Sequence, residues 1–250
     1  MSEFYYDLHV HSCLSPCGDD DMTPGNIAGM AVVNGLQIVA LTDHNTTKNC
    51  PAFYAQARKN GIIPIAGMEL TTSEDVHMIC LFPTLEDAMS FGEYVDTRRI
   101  RVKNKPAIFG HQHIRDENDE IVGEEEYLLI NATDISIEEA VDICRERGGV
   151  CYPAHIDRPS NGMVAVLGTF PEDVAFSAYE LNDGASMTEY ASRFPVIENL
   201  AHVVSSDAHY LWDMAEAEHT LDLPDDDIRM GLMRYLRGQT AHGREGVTHG

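Results

Sequence analysis

Apolar runs that end in a histidine or a carboxylate recur along this chain, and the segments between them read as helices. LQIVALTDH is almost continuously apolar up to its polar end, the look of a strand buried on both faces. IIPIAGMELTT, VHMICLF, VCYPAH, VAFSAYELN and AHVVSSDAH read alike, and FYYDLHVHS, which alternates, opens the series. Between them, Thr23 as N-cap and Pro24 at the first helical position predict a helix continuing over 26–34 and closed by Gly35. Further helices are predicted at 51–60, 85–96, 136–147 and 225–237, the third of these with Ser136 and Glu139 at capping-box spacing. Strand and helix in alternation predict a parallel sheet with helices outside it.

His9, His11, Asp43, His44, Glu69, His155, Asp207 and His209 all fall at or near strand ends. In a parallel barrel those ends converge on one face, where the active sites of such barrels are built. A chain of 250 residues with 44% hydrophobic content suits one barrel with a sizeable core. No repeat or low-complexity linker marks a boundary, so a single domain over 1–250 is expected. One segment, about 98–131, departs from the pattern. It holds five basic residues at 98–105, a mostly acidic run at 116–126, and IFGHQHI between them. It reads as an insertion over one end of the barrel, its charge runs either solvated faces or part of a lid.

The formal charge is −24, from 41 acidic and 17 basic residues. Binding to a polyphosphate backbone relies on Lys and Arg, so no long nucleic acid is expected as a partner. The six cysteines form no CxxC pair, and MSEFYYDLHVHS has neither a basic start nor a long apolar stretch. A cytoplasmic protein with reduced thiols is the expectation, and no run is long enough to span a membrane.

His9 and His11 lie two apart on a strand, so both imidazoles can reach one metal ion. Asp207 and His209 repeat that spacing on the last strand. A lone histidine in a strand is usually a hydrogen-bonded core residue, but two such pairs, a TDH and a Glu ending an apolar strand form a donor set. A carboxylate at Glu69 is expensive to bury without a partner. His and carboxylate donors suit zinc, manganese or iron. Asp43 is placed to orient a ligand histidine, and Arg158 to form a fork with phosphate oxygens. His111 and His113 form another HxH inside the 98–131 segment and read as non-ligands, with His113 or Arg115 able to touch a substrate if the segment folds over the site. Trp212 fits either a rim or a core position.

DLHVHS, TDHNT, GMEL, the later single His77 and His155, and SSDAH, taken in order, resemble the motifs of the PHP family, named for polymerase and histidinol phosphatase. The resemblance runs from residue 5 to about 210. It implies a distorted seven-stranded (β/α)7 barrel with a trinuclear metal centre at the C-terminal ends of the strands. By position it implies His9, His11, Glu69 and Asp207 around a first ion and Glu69, His77 and His155 around a second. Asp19, His44 and His209 would hold the third, with Asp20 competing for the place of Asp19.

The activity expected is that of a metal-dependent phosphoesterase. Two or three divalent ions (Zn, Mn or Fe) would share a hydroxide that attacks a small phosphomonoester, a metabolite or nucleotide, so a phosphatase is favoured over a nuclease. Glu69, Asp207 and His209 would carry catalysis, and Arg158 and His113 would bind substrate. The rivals are an amidohydrolase acting on a C–N bond and a non-catalytic metal-binding regulatory module. An amidohydrolase site typically carries a bridging lysine, and no lysine here ends a strand.

Overall fold

The computed structural model describes residues 1–239. In chain order the elements are β1 (Ser2–Val10), α1 (Pro24–Val33), β2 (Ile38–Leu41), α2 (Cys50–Lys59), β3 (Ile63–Thr71), β4 (His77–Phe82) and α3 (Leu85–Arg98). Then come α4 (Pro106–Phe109), β5 (His113–Arg115), β6 (Ile121–Glu124), α5 (Ile137–Glu146), β7 (Val150–Pro153) and α6 (Met163–Leu167). The chain continues through β8 (Ala178–Leu181), α7 (Met187–Arg193), β9 (Ala201–Val204), β10 (Thr220–Leu223) and α8 (Ile228–Leu236). The expected caps are in place. Thr23 accepts from the Asn26 amide with Pro24 behind it, and Ser136 accepts from the Glu139 amide.

A six-stranded sheet runs β10-β1-β2-β3-β4-β7, and β8 and β9 form a separate parallel pair. Single backbone bonds draw the two together. Ile156 donates to the Glu180 carbonyl at 2.9 Å beside β7, and His11 donates to the Ala208 carbonyl at 3.0 Å beside β1. The result is a curled sheet rather than a regular seven-stranded (β/α)7 ladder. The alternation breaks at β3 and β4, which pair antiparallel. The link between them, residues 72–76, is far too short for the helical crossover that parallel neighbours need. Strand β10, not foreseen from the sequence, lies antiparallel on the outer edge of β1.

Two apolar clusters flank this sheet. On one face Leu41, Met68 and Phe82 pack with Ile27, Phe53 and Phe91 of the helices. On the other face Phe4, Ile38, Ile65, Ile79, Tyr152 and Val203 pack together, with Leu232 and Leu236 of α8 against them. Along each strand the second face turns polar at one end: Ile65 is followed at the same parity by Gly67 and Glu69, and Ala178 by Glu180. Gly67 has to be glycine, since a Cβ there would meet the Cys80 carbonyl oxygen at 2.7 Å.

Strand β1 needs a correction to that parity. Phe4, Tyr6 and Leu8 belong to the inner cluster, yet the odd-numbered His9 and His11 turn inward as well, His9 meeting Glu180 and both rings meeting each other. The register against β2 shifts between Asp7 and Val10, and Val10 joins the helix-side cluster. This bulge turns both histidines inward, the re-aiming that bulges beside functional sites perform.

Within residues 98–131, β5 and β6 form an antiparallel hairpin. The basic run there is largely spent on ion pairs. Arg98 meets Asp134 and Glu139, Arg99 meets Asp96 and Glu125, Arg101 meets Asp96, and Lys103 meets Glu126. Among the described residues, no helix is long and apolar enough to cross a membrane.

Candidate metal centre

Glu69 ends the polar stretch of β3 and is buried. Five histidine nitrogens approach its two oxygens. His77 Nδ1 and His155 Nε2 lie 2.7 and 3.0 Å from Oε1, and His44 Nδ1 and His11 Nε2 lie 2.9 and 3.2 Å from Oε2. His9 Nε2 is 3.4 Å from Oε1. Asp207 closes the other side, with Oδ1 3.2 Å from His9 Nε2 and 3.1 Å from His11 Nε2. His209 Nδ1 is 3.6 Å from the same oxygen, and the His11 and His209 rings stack at 4.2 Å.

The antiparallel β4 explains how His77 arrives. It is the first residue of its strand, paired across the hairpin with Thr71, so β4 brings its N-terminal end to the face where β3 brings Glu69. The cluster is therefore not built from C-terminal strand ends alone. His155 and Asp207 take positive φ of 24° and 54°. Non-glycine residues held there carry strain of the kind found at functional sites.

The histidines are oriented from behind. His9 Nδ1 lies 2.8 Å from Glu180 Oε1, so it carries the proton and Nε2 faces the cluster. His11 Nδ1 donates to Ser15 Oγ at 3.0 Å, Ser15 Oγ donates to Asp43 Oδ1 at 2.7 Å, and Ser15 Oγ also accepts from the His44 amide at 3.1 Å. Asp43 thus orients a histidine, as expected, but through a serine. His209 Nδ1 donates to the Asp207 carbonyl at 2.8 Å. Buried Asp7 takes the Ser206 hydroxyl at 2.6 Å, the Ser206 amide at 3.2 Å and the Ala215 amide at 3.0 Å, which fixes the loop carrying Asp207. Glu180, Ser15 and Asp7 were not singled out from the sequence. Glu180 gave a signal there, a charged residue inside the apolar strand AYEL, of the same kind as Glu69.

Charge is strongly redistributed. Burial disfavours a charged His9, but Glu180, Asp207 and Glu69 outweigh it and hold its pKa well above the usual value. The same contest, with hydrogen bonds to Asp207 and Glu69, pushes His11 up to about 9. Burial wins at His44 and His209, which fall to about 4 and about 3. Burial opposes charge on Glu69 as well, but His77, His44 and His9 hold it well below the carboxylate range, and His9 and His11 do the same for Asp207.

This donor set fits divalent cations. His9, His11, Glu69 and Asp207 each offer an atom within 4.8 Å of the others, as do His44, Glu69 and His77, and His11, His44 and His209. His44 Nδ1 and Glu69 Oε2 face each other in the interior without forming a hydrogen bond. Two such atoms are costly unless an ion satisfies them. Of the nine expected ligands, eight converge. The ninth, Asp19, donates its amide to the His209 carbonyl at 2.9 Å, but its Oδ1 accepts from the Asp21 amide, and its carboxylate enters none of these groups.

Arg158 reaches the centre, its Nη1 paired with Asp207 Oδ2. Neighbouring Asp157 instead accepts from the Asn182 and Asp183 amides. His113 is not brought to the cluster, for its ring stacks on His111 at 5.0 Å on the hairpin. Arg115 hydrogen-bonds the Asp119 carbonyl. Trp212 is 75% exposed and stacks on Tyr210 at 4.9 Å, so it belongs to the surface rather than the core.

The PHP domain model matches residues 7–148, more than half of the chain, and the chain belongs to that family. Over shorter stretches it is similar to an error-prone DNA polymerase of Symbiobacterium thermophilum (35% identity over 77 residues, 31% of this chain and 7% of the polymerase). It is also similar to a 5'-3' exoribonuclease of Haemophilus influenzae (32% over 79 residues, 30% of this chain and 28% of that one). Among solved structures the fold resembles the lesion-specific endonuclease PfuEndoQ of Pyrococcus furiosus, with a TM-score of 0.64, 20% identity, and coverage of 96% of this chain and 57% of that one. An endonuclease Q complex with a 27-mer duplex carrying an abasic lesion at the active site gives 0.63 at 19% identity, covering 96% and 58%. A putative metal-dependent phosphoesterase of Bifidobacterium adolescentis gives 0.59 at 20% identity, covering 92% and 96%. The chain thus spans under two thirds of the curated relatives and of the endonuclease. The complex overturns the expectation that a long nucleic acid is excluded, since a protein that contains this fold, endonuclease Q, is solved with a duplex substrate at its active site. Net charge sums over the whole surface, whereas binding follows the local field, which bound cations reverse.

Proposed function

We propose that this member of the PHP domain family is a metal-dependent phosphoesterase and that phosphoesters of nucleic acids lie within its substrate range. The observation that carries the reading is the convergence of histidine nitrogens on both oxygens of one buried carboxylate, Glu69, with Asp207 opposite. A carboxylate that offers each oxygen to a different group of histidines suits two cations held a few ångströms apart. His9, His11, Glu69 and Asp207 would hold one ion, and Glu69, His77 and His155 a second. His44 and His209, with His11 beside them, would hold a third. Zinc, manganese and iron all suit these donors.

Bound divalent cations supply a Lewis acid, a water of lowered pKa and neutralisation of the phosphoryl oxygens. The chain supplies the rest. Glu180 and Ser15 hold the imidazoles of His9 and His11 in one tautomer and one direction. Arg158, 40% exposed and already beside Asp207, is placed to turn its fork onto phosphoryl oxygens. His44, Glu69 and His155 are buried, which keeps bulk water from the donor atoms. The similarity to an exoribonuclease and to an endonuclease supports phosphodiesters or terminal phosphates of nucleic acids as substrates.

A C–N bond hydrolase is the second reading, since an amidohydrolase of Chromobacterium violaceum shares the fold at a TM-score of 0.55 and 20% identity. Against it, among the described residues the ion pairs of Glu69 are all with histidines and none is with a lysine. The test is a panel of phosphomonoesters, intact and abasic oligonucleotides and cyclic amides, with added manganese or zinc and a chelated control. Phosphoester cleavage lost on chelation and in Asp207→Ala supports the proposal. Turnover of amides alone would replace it with the second reading.

A further inference from the structure

We infer that His111, His113 and Glu124 form a separate cation site, for one zinc-type divalent ion, at the base of the β5–β6 hairpin. The hairpin's register sets Glu124 directly across from His113. His111 lies two residues before His113, in the segment that leads into β5. The rings of His111 and His113 stack at 5.0 Å with 18° between their planes, and His111 Nδ1 is 2.8 Å from Glu124 Oε1. One donor atom from each of the three lies within 4.8 Å of the others.

Two imidazoles and a carboxylate are the donor types that bind zinc, at about 2.0–2.2 Å each. Donors of a tetrahedral site therefore stand about 3.3 Å apart, a closure from 4.8 Å that side-chain rotation on a hairpin can make. The His113 Nδ1 is buried and has no hydrogen-bond partner in the protein, an orphan that an ion would satisfy. The side chains of His111 and Glu124 are 52% and 42% exposed, so an ion can reach the site from solvent. Three protein donors leave a position for water.

The site is distinct from the cluster around Glu69, with which it shares no residue. It is nevertheless coupled to it through the backbone. The His113 amide donates to the Cys13 carbonyl at 3.2 Å, and Asn49 donates to the His113 carbonyl at 3.1 Å while accepting from the Arg115 amide. Cys13 follows His11 by two residues. An ion that ties β5 to β6 therefore holds the hairpin against the loop that leaves β1, beside the metal centre.

The test compares the intact chain with His111→Ala, Glu124→Gln and Asp207→Ala after saturation with zinc and removal of free metal, counting bound zinc per chain. His111→Ala and Glu124→Gln are expected to hold one zinc fewer than the parent, while Asp207→Ala keeps the hairpin ion. As a second readout, zinc should slow proteolysis within residues 106–124 on the order of tenfold in the parent and in Asp207→Ala, by binding the closed form, and not in His111→Ala. Equal zinc content in the parent and both hairpin variants, or zinc protection that survives His111→Ala, would overturn the inference and leave the His111–Glu124 contact as an ordinary surface pair.

Discussion

Replacing Ser15 with alanine removes one oxygen and little volume, yet that oxygen serves three groups. It accepts from His11 Nδ1 and the His44 amide and donates to Asp43 Oδ1, all in the interior. Asp43 Oδ1 keeps the Ser12 amide at 2.7 Å, so two donors are left without partners, His11 Nδ1 and the His44 amide. Each unsatisfied buried donor costs about 1–3 kcal/mol. With partial relaxation, a loss of about 3 kcal/mol in unfolding free energy is expected for the metal-free protein. The metal effect is separate. Removing the partner that fixes a ligand histidine typically weakens metal binding 10- to 100-fold, so at least about tenfold is expected here. Urea unfolding measures the first quantity and competition against a chromophoric chelator the second. A Ser15→Ala protein with unchanged unfolding and unchanged metal affinity would refute the orienting role of this oxygen.

The metal-free protein should be most stable near the ordinary histidine pKa of about 6.5. His11, raised to about 9, contributes stability that is full below about 6.5 and lost as pH rises from there through about 9, whereas His44 and His209, lowered to about 4 and 3, contribute stability that is full above about 6.5 and lost as pH falls through those values. Thermal melts across pH check both arms, and divalent metal, which displaces the protons of His9 and His11, should bind more tightly as pH rises towards 9. Gly67→Ala should destabilise by about 1–3 kcal/mol, because the new Cβ would meet the Leu81 side chain at 2.6 Å and the Cys80 carbonyl at 2.7 Å; an unchanged denaturation midpoint would show that β4 can move aside. Arg158→Lys should raise KM for phosphoesters more than it lowers kcat, since a lysine cannot form the two-pronged contact, and steady-state kinetics separates the two.

Much of the site was legible because metal binding leaves residue types at strand ends where burial would otherwise forbid them. His9, His11, Glu69, His155 and Asp207 could be read that way, and they meet. Parity along β1 could not be read, because a bulge between Asp7 and Val10 switches the inward face midway and nothing in DLHVHS marks it. The direction of β4 was recoverable in principle from the short link at 72–76, but the apolar run VHMICLF looks the same in either direction. Glu180 stands in an apolar strand as Glu69 does and so left a signal, but Asp7 sits in an alternating strand where a polar residue is ordinary, and the orienting role of both emerges only from contacts with strands distant in sequence. The acidic charge misled about nucleic acids, since a total says nothing about the field at one end of a curled sheet.

The most direct measurement is cleavage of a 5'-phosphorylated oligonucleotide and an abasic duplex by metal-reconstituted protein, followed with and without chelator and in Asp207→Ala. Release of phosphate or a shortened strand, abolished by chelation and by Asp207→Ala, is the expected result. Protein shown to carry metal at the Glu69 cluster that cleaves neither substrate nor any phosphomonoester would contradict the phosphoesterase assignment.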